Sequence, residues 1–173
     1  RLTSEKGAGV LVEAARIAAQ RGGTGGGVPV TIAGDGVLRG ELERAAKEAV
    51  RAQASAGGAA AGGVAGCAPA SIVFVGQRSH DEALALLRRS KFLVVPSICY
   101  EMFPLACVEA FALGKPVVAS RLGALAEIVE DGRTGLLFEP GNAAELADKM
   151  GMLMGYDVLC EEMGRQARRE FEA

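Results

Sequence analysis

Short runs of apolar residues alternate along this chain with longer segments of mixed polar and apolar character. Five of the runs have the length of strands, and all but the last are rich in β-branched residues: VTIAG at 30–34, SIVFVG at 71–76, FLVVPS at 92–97, PVVAS at 116–120 and GLLFE at 135–139. The first four are apolar on consecutive positions, which is typical of strands covered on both faces. We therefore expect five strands, of which the first four are buried on both sides.

Segments with helical periodicity lie between and after these runs. They span 7–20, 38–54, 79–90, 104–113, 123–131, 142–154 and 158–171. Repeated strand, helix, strand units favour a parallel sheet with right-handed crossovers, so the predicted fold class is α/β with a doubly wound, Rossmann-like sheet. A ligand of such a sheet binds beyond the carboxyl ends of the strands, where the strand order reverses.

Two segments rich in glycine and alanine interrupt the pattern, RGGTGGG at 21–27 and a longer one at 52–70. They carry almost no charge or bulk and can add little to a core. The chain has 173 residues, 50% of them hydrophobic and 23% charged, which is the balance of one globular domain. We expect a single domain over 1–173 with flexible insertions at 21–27 and 52–70.

Charge and composition narrow the classes of partner. The formal net charge is -2 and the chain has no tryptophan, so it has neither a positive field nor many stacking residues for nucleic acid. We expect no nucleic-acid partner. The chain has one histidine, no D-x-D and no CxxC pair, so we expect no metal site. His80 is most simply an exposed residue in the first turn of a helix.

The four cysteines read as buried free thiols of a reducing compartment, and they are Cys67, Cys99, Cys107 and Cys160. No apolar run is as long as a membrane span. The predicted compartment is the cytoplasm. Association with a membrane through segments outside these 173 residues stays open.

The segment YEMFPLACVEAFALGKP, at 100–116, places a carboxylate in an otherwise apolar helix. Burying Glu109 without a partner would cost about a few kcal/mol. Its partner is either Lys115 or a nearby arginine, or a ligand diol such as a ribose. Glu101 precedes a helix N-terminus, which favours a phosphate or an oxygen-rich sugar, although acids are also ordinary at such positions.

The stretch from Pro96 to Asn142 resembles the nucleotide-sugar-binding half of retaining GT-B glycosyltransferases, in the large group called family four or glycosyl transferases group 1. Glu101 and Glu109 match its E-x7-E motif. RLTSEKG at the start, IAGDG at 32–36 and VFVGQ at 73–77 match further motifs in the same order. The resemblance therefore covers nearly the whole chain outside the two insertions.

The resemblance implies a donor site that works without metal or cofactor. Arg1 and Lys6 would hold the donor diphosphate and stabilise the leaving group, although alone they would read as surface charge. Glu101 would face the donor sugar, and Glu109 would accept hydrogen bonds from the ribose hydroxyls. The other implied positions are Gly34 and Gly36 at a turn near the ligand, Gly76, Gln77 and Arg78 beside the base, and the backbone of Met102, Phe103, Pro104 and Leu105.

The implied reaction moves a sugar from a nucleoside diphosphate to an acceptor hydroxyl with retained configuration. The acceptor is not identified by these residues, and the resemblance implies an N-terminal acceptor-binding domain in the same protein. In the implied strand order 3-2-1-4-5-6, the RLTSEKG motif follows the first strand. We therefore expect this chain to lack that central strand and to be inactive alone.

Two other functions compete with this hypothesis. One is a nucleotide-sugar-binding module that transfers nothing. The other is a dinucleotide-dependent oxidoreductase, because GDGVLRG at 34–40 is a glycine motif between a strand and a helix. Such a site needs an acidic residue at the end of the following strand, where this chain has Gly76 and Gln77.

Overall fold

The computed structural model describes residues 2–21, 28–56 and 71–173, without the side chains of residues 50 and 52–56. All five predicted strands are present, each slightly shorter than expected. They are β1 Val30–Ala33, β2 Ile72–Gly76, β3 Leu93–Val95, β4 Val117–Ser120 and β5 Gly135–Phe138. Since β-branched and aromatic side chains dominate the first four of these strands, local preference and the observed strands agree there.

Seven helices follow the predicted segments closely, and a 3-10 turn at Ser4–Lys6 precedes the first. The helices are α1 Ala8–Gln20, α2 Arg39–Ala56, α3 His80–Arg89, α4 Leu105–Ala112, α5 Ala124–Ile128, α6 Ala143–Gly155 and α7 Asp157–Glu172. The α/β class is confirmed. Residues 22–27 and 57–70, which hold most of the two predicted insertions, lie outside the described residues.

The strands form two parallel sheets. One has the order β1-β2 and the other the order β3-β4-β5. This agrees with the implied order 3-2-1-4-5-6, in which the strand that the chain is expected to lack is strand 1 and the five strands described here are strands 2 to 6. Among the residues described here no ladder joins β1 to β3. Instead, the first residues lie beside the ends of both sheets. Leu2 N–H donates to Asp35 O (2.9 Å) after β1, and Ile98 N–H donates to Glu5 O (2.8 Å) after β3.

The two sheets differ in how much they are covered. Every residue of β4 and β5 is buried, whereas β1 alternates between buried and exposed positions. Thr31 and Val73 are paired across β1 and β2 and both are exposed, Val73 to 51%. The expectation that the first four strands are buried on both faces is therefore wrong for β1 and β2 and correct for β4. It holds in part for β3, whose three residues are half-buried and pack against core clusters on both faces.

The helices cover the faces of the two sheets unequally. One core cluster joins α1, α2 and α6 to residues such as Ile32, Val118 and Phe138 on one side of the strands. A second cluster fills the other side of β4 and β5 with residues of α4 and α5, including Phe111 and Leu125. No helix within the described parts of the chain is long and apolar enough to cross a membrane.

Candidate functional site

The strand ends, the first residues and the starts of two helices meet at one edge of the molecule. Gly34 N–H, after β1, donates to Gly76 O at the end of β2 over 2.8 Å. Gly7, which begins α1, lies so close to β3 that a Cβ on it would stand 1.8 Å from Pro96 O. This is the carboxyl edge of the strands, where a ligand of a parallel sheet binds.

A three-residue cluster lies at this edge. Lys6 Nζ and Ser97 Oγ each donate to Glu101 Oε1, both over 2.6 Å. The Glu101 side chain is only 17% exposed and that of Lys6 is 41% exposed. An ammonium has three donors, so Lys6 keeps donors for a ligand while it pairs with Glu101. The structure thus brings together two predicted site residues, and it adds Ser97, which the sequence reading missed.

The charge state of Glu101 follows from its surroundings. Partial burial raises the pKa of its carboxyl, but the hydrogen bonds from Lys6 and Ser97 and the charge of Lys6 outweigh that and hold the pKa below its ordinary value of 4.5. Glu101 is therefore an anion at neutral pH. Lys6 and Glu101 form a part-buried charge pair in which the carboxylate is the better enclosed partner.

Glu109 lies on α4 with its side chain 31% exposed. Its Oε1 stands 3.5 Å from Nδ1 of His80, the first residue of α3. Among the described residues neither Lys115 nor any arginine forms an ion pair with Glu109, so the structural partner expected for it is replaced by His80. The prediction that His80 is exposed in a first helical turn is confirmed, since its side chain is 66% exposed.

The loop before α4 is apolar and exposed. Met102 is 98% exposed, Phe103 64% and Leu105 62%, whereas Pro104 is buried. Pro104 stands just before α4, whose first residue is Leu105, and so lies one residue outside the helix predicted to begin with it. This loop follows Glu101 directly, so its backbone borders the Lys6, Ser97 and Glu101 cluster.

The glycines after β1 have structural neighbours of their own. A Cβ on Gly36 would stand 2.5 Å from Leu2 O, so the small residue lets the first residues of the chain approach. Gly40 has no atom within 4 Å of such a position. In a dinucleotide fingerprint the last glycine permits close packing of helix and strand. Gly40 makes no such packing, which weakens the dinucleotide reading of GDGVLRG.

The loop after β1 and the first turns of α2 carry a second polar group. Arg39 donates to Asp35 Oδ2 (2.8 Å) and to Glu43 Oε1 (2.9 Å). The backbone N–H of Gly36, and after it Arg39, lower the pKa of the Asp35 carboxyl. The predicted base-side residues Gln77 and Arg78 are both exposed. Gly76, the last residue of β2, is itself buried, so exposure begins directly after the strand.

The remaining predictions divide between described and undescribed residues. Arg1 lies outside the described residues, and so does Cys67. The other three cysteines are free, and burial raises the pKa of Cys107 to about 12, so its thiol stays protonated. Within the described ranges no group of three or more histidine, cysteine or acidic side chains could hold a metal ion.

Most of the chain is similar to known proteins. The model of the family glycosyl transferases group 1 matches residues 1–156. An uncharacterized glycosyltransferase of Methanocaldococcus jannaschii is 40% identical over 97 residues, which are 56% of this chain and 27% of that protein. The chain spans about a quarter of the length of the curated relatives it matches.

Solved structures share the fold. The C-terminal domain of a glycosyl transferase group 1 family protein (LpcC) from Francisella tularensis matches 98% of this chain and 80% of its own, with a TM-score of 0.77 and 24% identity. Anabaena HepE, crystallised in complex with UDP-glucose, matches 99% of this chain and 42% of its own, with a TM-score of 0.75 and 23% identity. At these identities the likeness concerns the fold alone.

Proposed function

Because this chain belongs to the glycosyl transferases group 1 family, we propose that it is the donor-binding part of an enzyme that moves a sugar from a nucleoside diphosphate to an acceptor hydroxyl. The proposal includes retention of the anomeric configuration. It also includes an acceptor-binding domain elsewhere in the same protein. Family membership leaves no support for the oxidoreductase alternative.

One observation carries the proposal: Lys6 and Glu101, 95 residues apart, meet at 2.6 Å on the carboxyl edge of the sheets. The ammonium of Lys6 suits the diphosphate, because a fixed cation stabilises negative charge that develops on a leaving group. The carboxylate of Glu101 suits sugar hydroxyls, which donate hydrogen bonds to it. The pair thus offers one group for each half of a sugar phosphate.

Glu109 supports the nucleoside end of the same ligand. Its side chain is 31% exposed, and one oxygen, Oε1, faces His80. A carboxylate has room for several donors on its two oxygens, so it can accept from the two hydroxyls of a ribose. The UDP-glucose bound to Anabaena HepE is a ligand of this chemical class. We extend that class, without the identity of the base, to this chain.

The remaining groups are assigned within the proposal. Gly34 and Gly36 let the chain turn close to the ligand, and Gly76, Gln77 and Arg78 border the base. The backbone of 102–105 borders the sugar and phosphates. Arg1 would supply a second cation for the diphosphate. Catalysis then rests on orientation and fixed charges, without metal or cofactor. The cytoplasm is the proposed compartment, in keeping with the free thiols of the described cysteines.

Calorimetric titration of the protein that carries this chain tests the proposal, with UDP, GDP, ADP and NAD as ligands. We expect one nucleoside diphosphate to bind and to name the base. Glu109→Ala should weaken it at least about tenfold, because a charge-assisted hydrogen bond to a half-buried carboxylate is lost. Glu161→Ala, on the exposed side of α7, is the matched control and should change nothing. Binding of NAD alone would overturn the proposal.

Lys6→Ala separates the phosphate role from a general effect on the site. We expect this variant to weaken the nucleoside diphosphate about tenfold or more, since one charged contact is lost, and to leave the free nucleoside unchanged. Glu109→Ala should weaken both ligands. Equal losses for nucleoside and nucleoside diphosphate in Lys6→Ala would contradict the phosphate assignment.

A further inference from the structure

The contact between His80 and Glu109 is not used by the function proposed above. The imidazole Nδ1 lies 3.5 Å from the carboxylate Oε1, and the two residues come from different helices. The α3 helix follows β2 and the α4 helix follows β3, so the pair stands at the same edge as Lys6 and Glu101. A mostly exposed histidine thus lies beside the carboxylate that is assigned to the ribose.

Both partners are held by their own helices. Ser79 Oγ accepts from Glu82 N–H (3.3 Å), and Glu82 Oε2 accepts from Ser79 N–H (2.8 Å), so a complete capping box fixes the start of α3 at His80. On the other side, the neighbours of Glu109 in α4, Ala110 and Phe111, are buried. The backbone positions from which the imidazole and the carboxylate extend are therefore set by the fold on both sides.

The chemistry of the two groups decides which of them donates a hydrogen bond and which accepts it. A carboxylate only accepts hydrogen bonds, so it favours the form of the imidazole that carries a proton on Nδ1. The pair leaves the second carboxylate oxygen, Oε2, for another donor. At 3.5 Å the contact lies at ion-pair distance and is not a formed hydrogen bond, and contacts of this kind in ligand-free sites often shorten when the ligand binds.

We propose that His80 is a positioning residue that orients the Glu109 carboxylate toward the ribose diol of the donor nucleotide. The inference rests on the proposed function and deepens it. His80 holds Oε1 on one side, and the ribose takes the oxygen that remains. Without the imidazole the carboxylate rotates more freely in the unbound protein. More side-chain entropy is then lost when the ribose binds, and the affinity falls.

The test compares nucleotides with and without the diol. The protein that carries this chain is titrated with UDP, GDP and ADP and with the 2′,3′-dideoxy form of each. His80→Ala should weaken the ribose nucleotide about three- to tenfold, the order expected for one side chain that must be ordered on binding. It should leave the dideoxy nucleotide unchanged, because that ligand has no hydroxyl for Glu109.

Two variants separate positioning from a structural role. His80→Asn should restore most of the affinity, because an amide N–H can donate to the same carboxylate oxygen. Asp81→Asn removes a charge at the next exposed position of α3 and should leave both affinities unchanged. A loss caused by damage to the helix start would weaken both nucleotides and would not be restored by asparagine.

The outcomes distinguish this inference from the function on which it rests. If Glu109→Ala weakens the ribose nucleotide while His80→Ala does not, the positioning role is wrong and the donor site stands. Equal weakening of ribose and dideoxy nucleotides by His80→Ala also refutes the positioning role. If none of the nucleoside diphosphates binds the unsubstituted protein, the donor site itself is wrong and the role of His80 falls with it.

Discussion

The two sheets are built from runs of the same kind, yet they differ in cover. In β4 and β5 every side chain is buried, because helices pack on both faces. In β1 burial alternates, and the exposed face holds Thr31 and Val73. Consecutive apolar residues therefore allow a strand to be buried on both faces, but they do not determine whether helices pack on both.

The candidate site draws on both regions. Ser97 and Glu101 follow β3, in the sheet that is covered on both faces, and His80 follows β2, in the open sheet. Lys6 comes from the segment that touches the ends of both. The comparison thus predicts that the better covered side supplies stability, and that changes on the open side alter the site with little effect on global unfolding.

The largest effect on stability should come from the sheet β3-β4-β5, called the closed sheet here because helices pack on both of its faces; the sheet β1-β2 is the open sheet. Phe138→Ala removes a fully buried ring of β5 and should lower the free energy of unfolding by about 3–5 kcal/mol, because it leaves a cavity. The matched change on the open sheet, Val73→Ala, should cost less than about 1 kcal/mol. Urea unfolding measures both, and losses of similar size would break the distinction between the sheets.

The junction between the regions comes next. Gly7 has a φ of 65°, and a Cβ there would stand 1.8 Å from Pro96 O. Gly7→Ala should destabilise the protein by more than about 2 kcal/mol, because a left-handed backbone already costs about 1–2 kcal/mol for other residues. Gly9→Ala, in α1 with only Leu42 nearby, should instead stabilise by about 0.5–1 kcal/mol. Thermal unfolding of the two variants measures both changes in stability.

A smaller effect is expected from the charge of Glu101. Its pKa is lowered on folding, so its contribution is present above the ordinary pKa of 4.5 and is lost as the pH falls through the lowered value. Glu101→Gln should cost about 1 kcal/mol at pH 7, with Lys6 partly screened by solvent. The difference from the parent protein should vanish in acid. Unfolding curves at several pH values test this, and a loss independent of pH would contradict it.

The smallest effect should be local to the open side. Ser79→Ala removes one hydrogen bond of the α3 capping box and should cost about 0.5–1 kcal/mol. Ser79→Asp should cost almost nothing, because aspartate caps helices as well as serine does. Hydrogen exchange should quicken in α3 and stay unchanged in β4 and β5. Faster exchange in the closed sheet would show that the two regions unfold together.

The elements were predictable because their signals are local. Apolar runs and helical periodicity depend on residues a few positions apart, and within the described ranges they located five strands and seven helices. The cover of β1 was not predictable from VTIAG, because it depends on what packs there from elsewhere. The site residues came from motif resemblance, and their assignment to a donor stays a prediction.

The contacts within the site were the least predictable. Ser97 carried only the signal of a polar residue at the end of an apolar strand. His80 was correctly expected to be exposed, but its approach to Glu109 depends on how α3 and α4, which are separated by β3, are placed in the fold. A lone histidine has no spacing pattern, so nothing in the sequence pointed to this pair.

The contact between Lys6 and Glu101 also bears on how the protein is made. It spans 95 residues, and the entropy lost in closing so long a loop is recovered only after many other contacts have formed. While a ribosome is still synthesising the chain, Lys6 emerges long before its partner. A nascent chain therefore acquires this pair late, only after β3 and the loop that follows it have joined the fold.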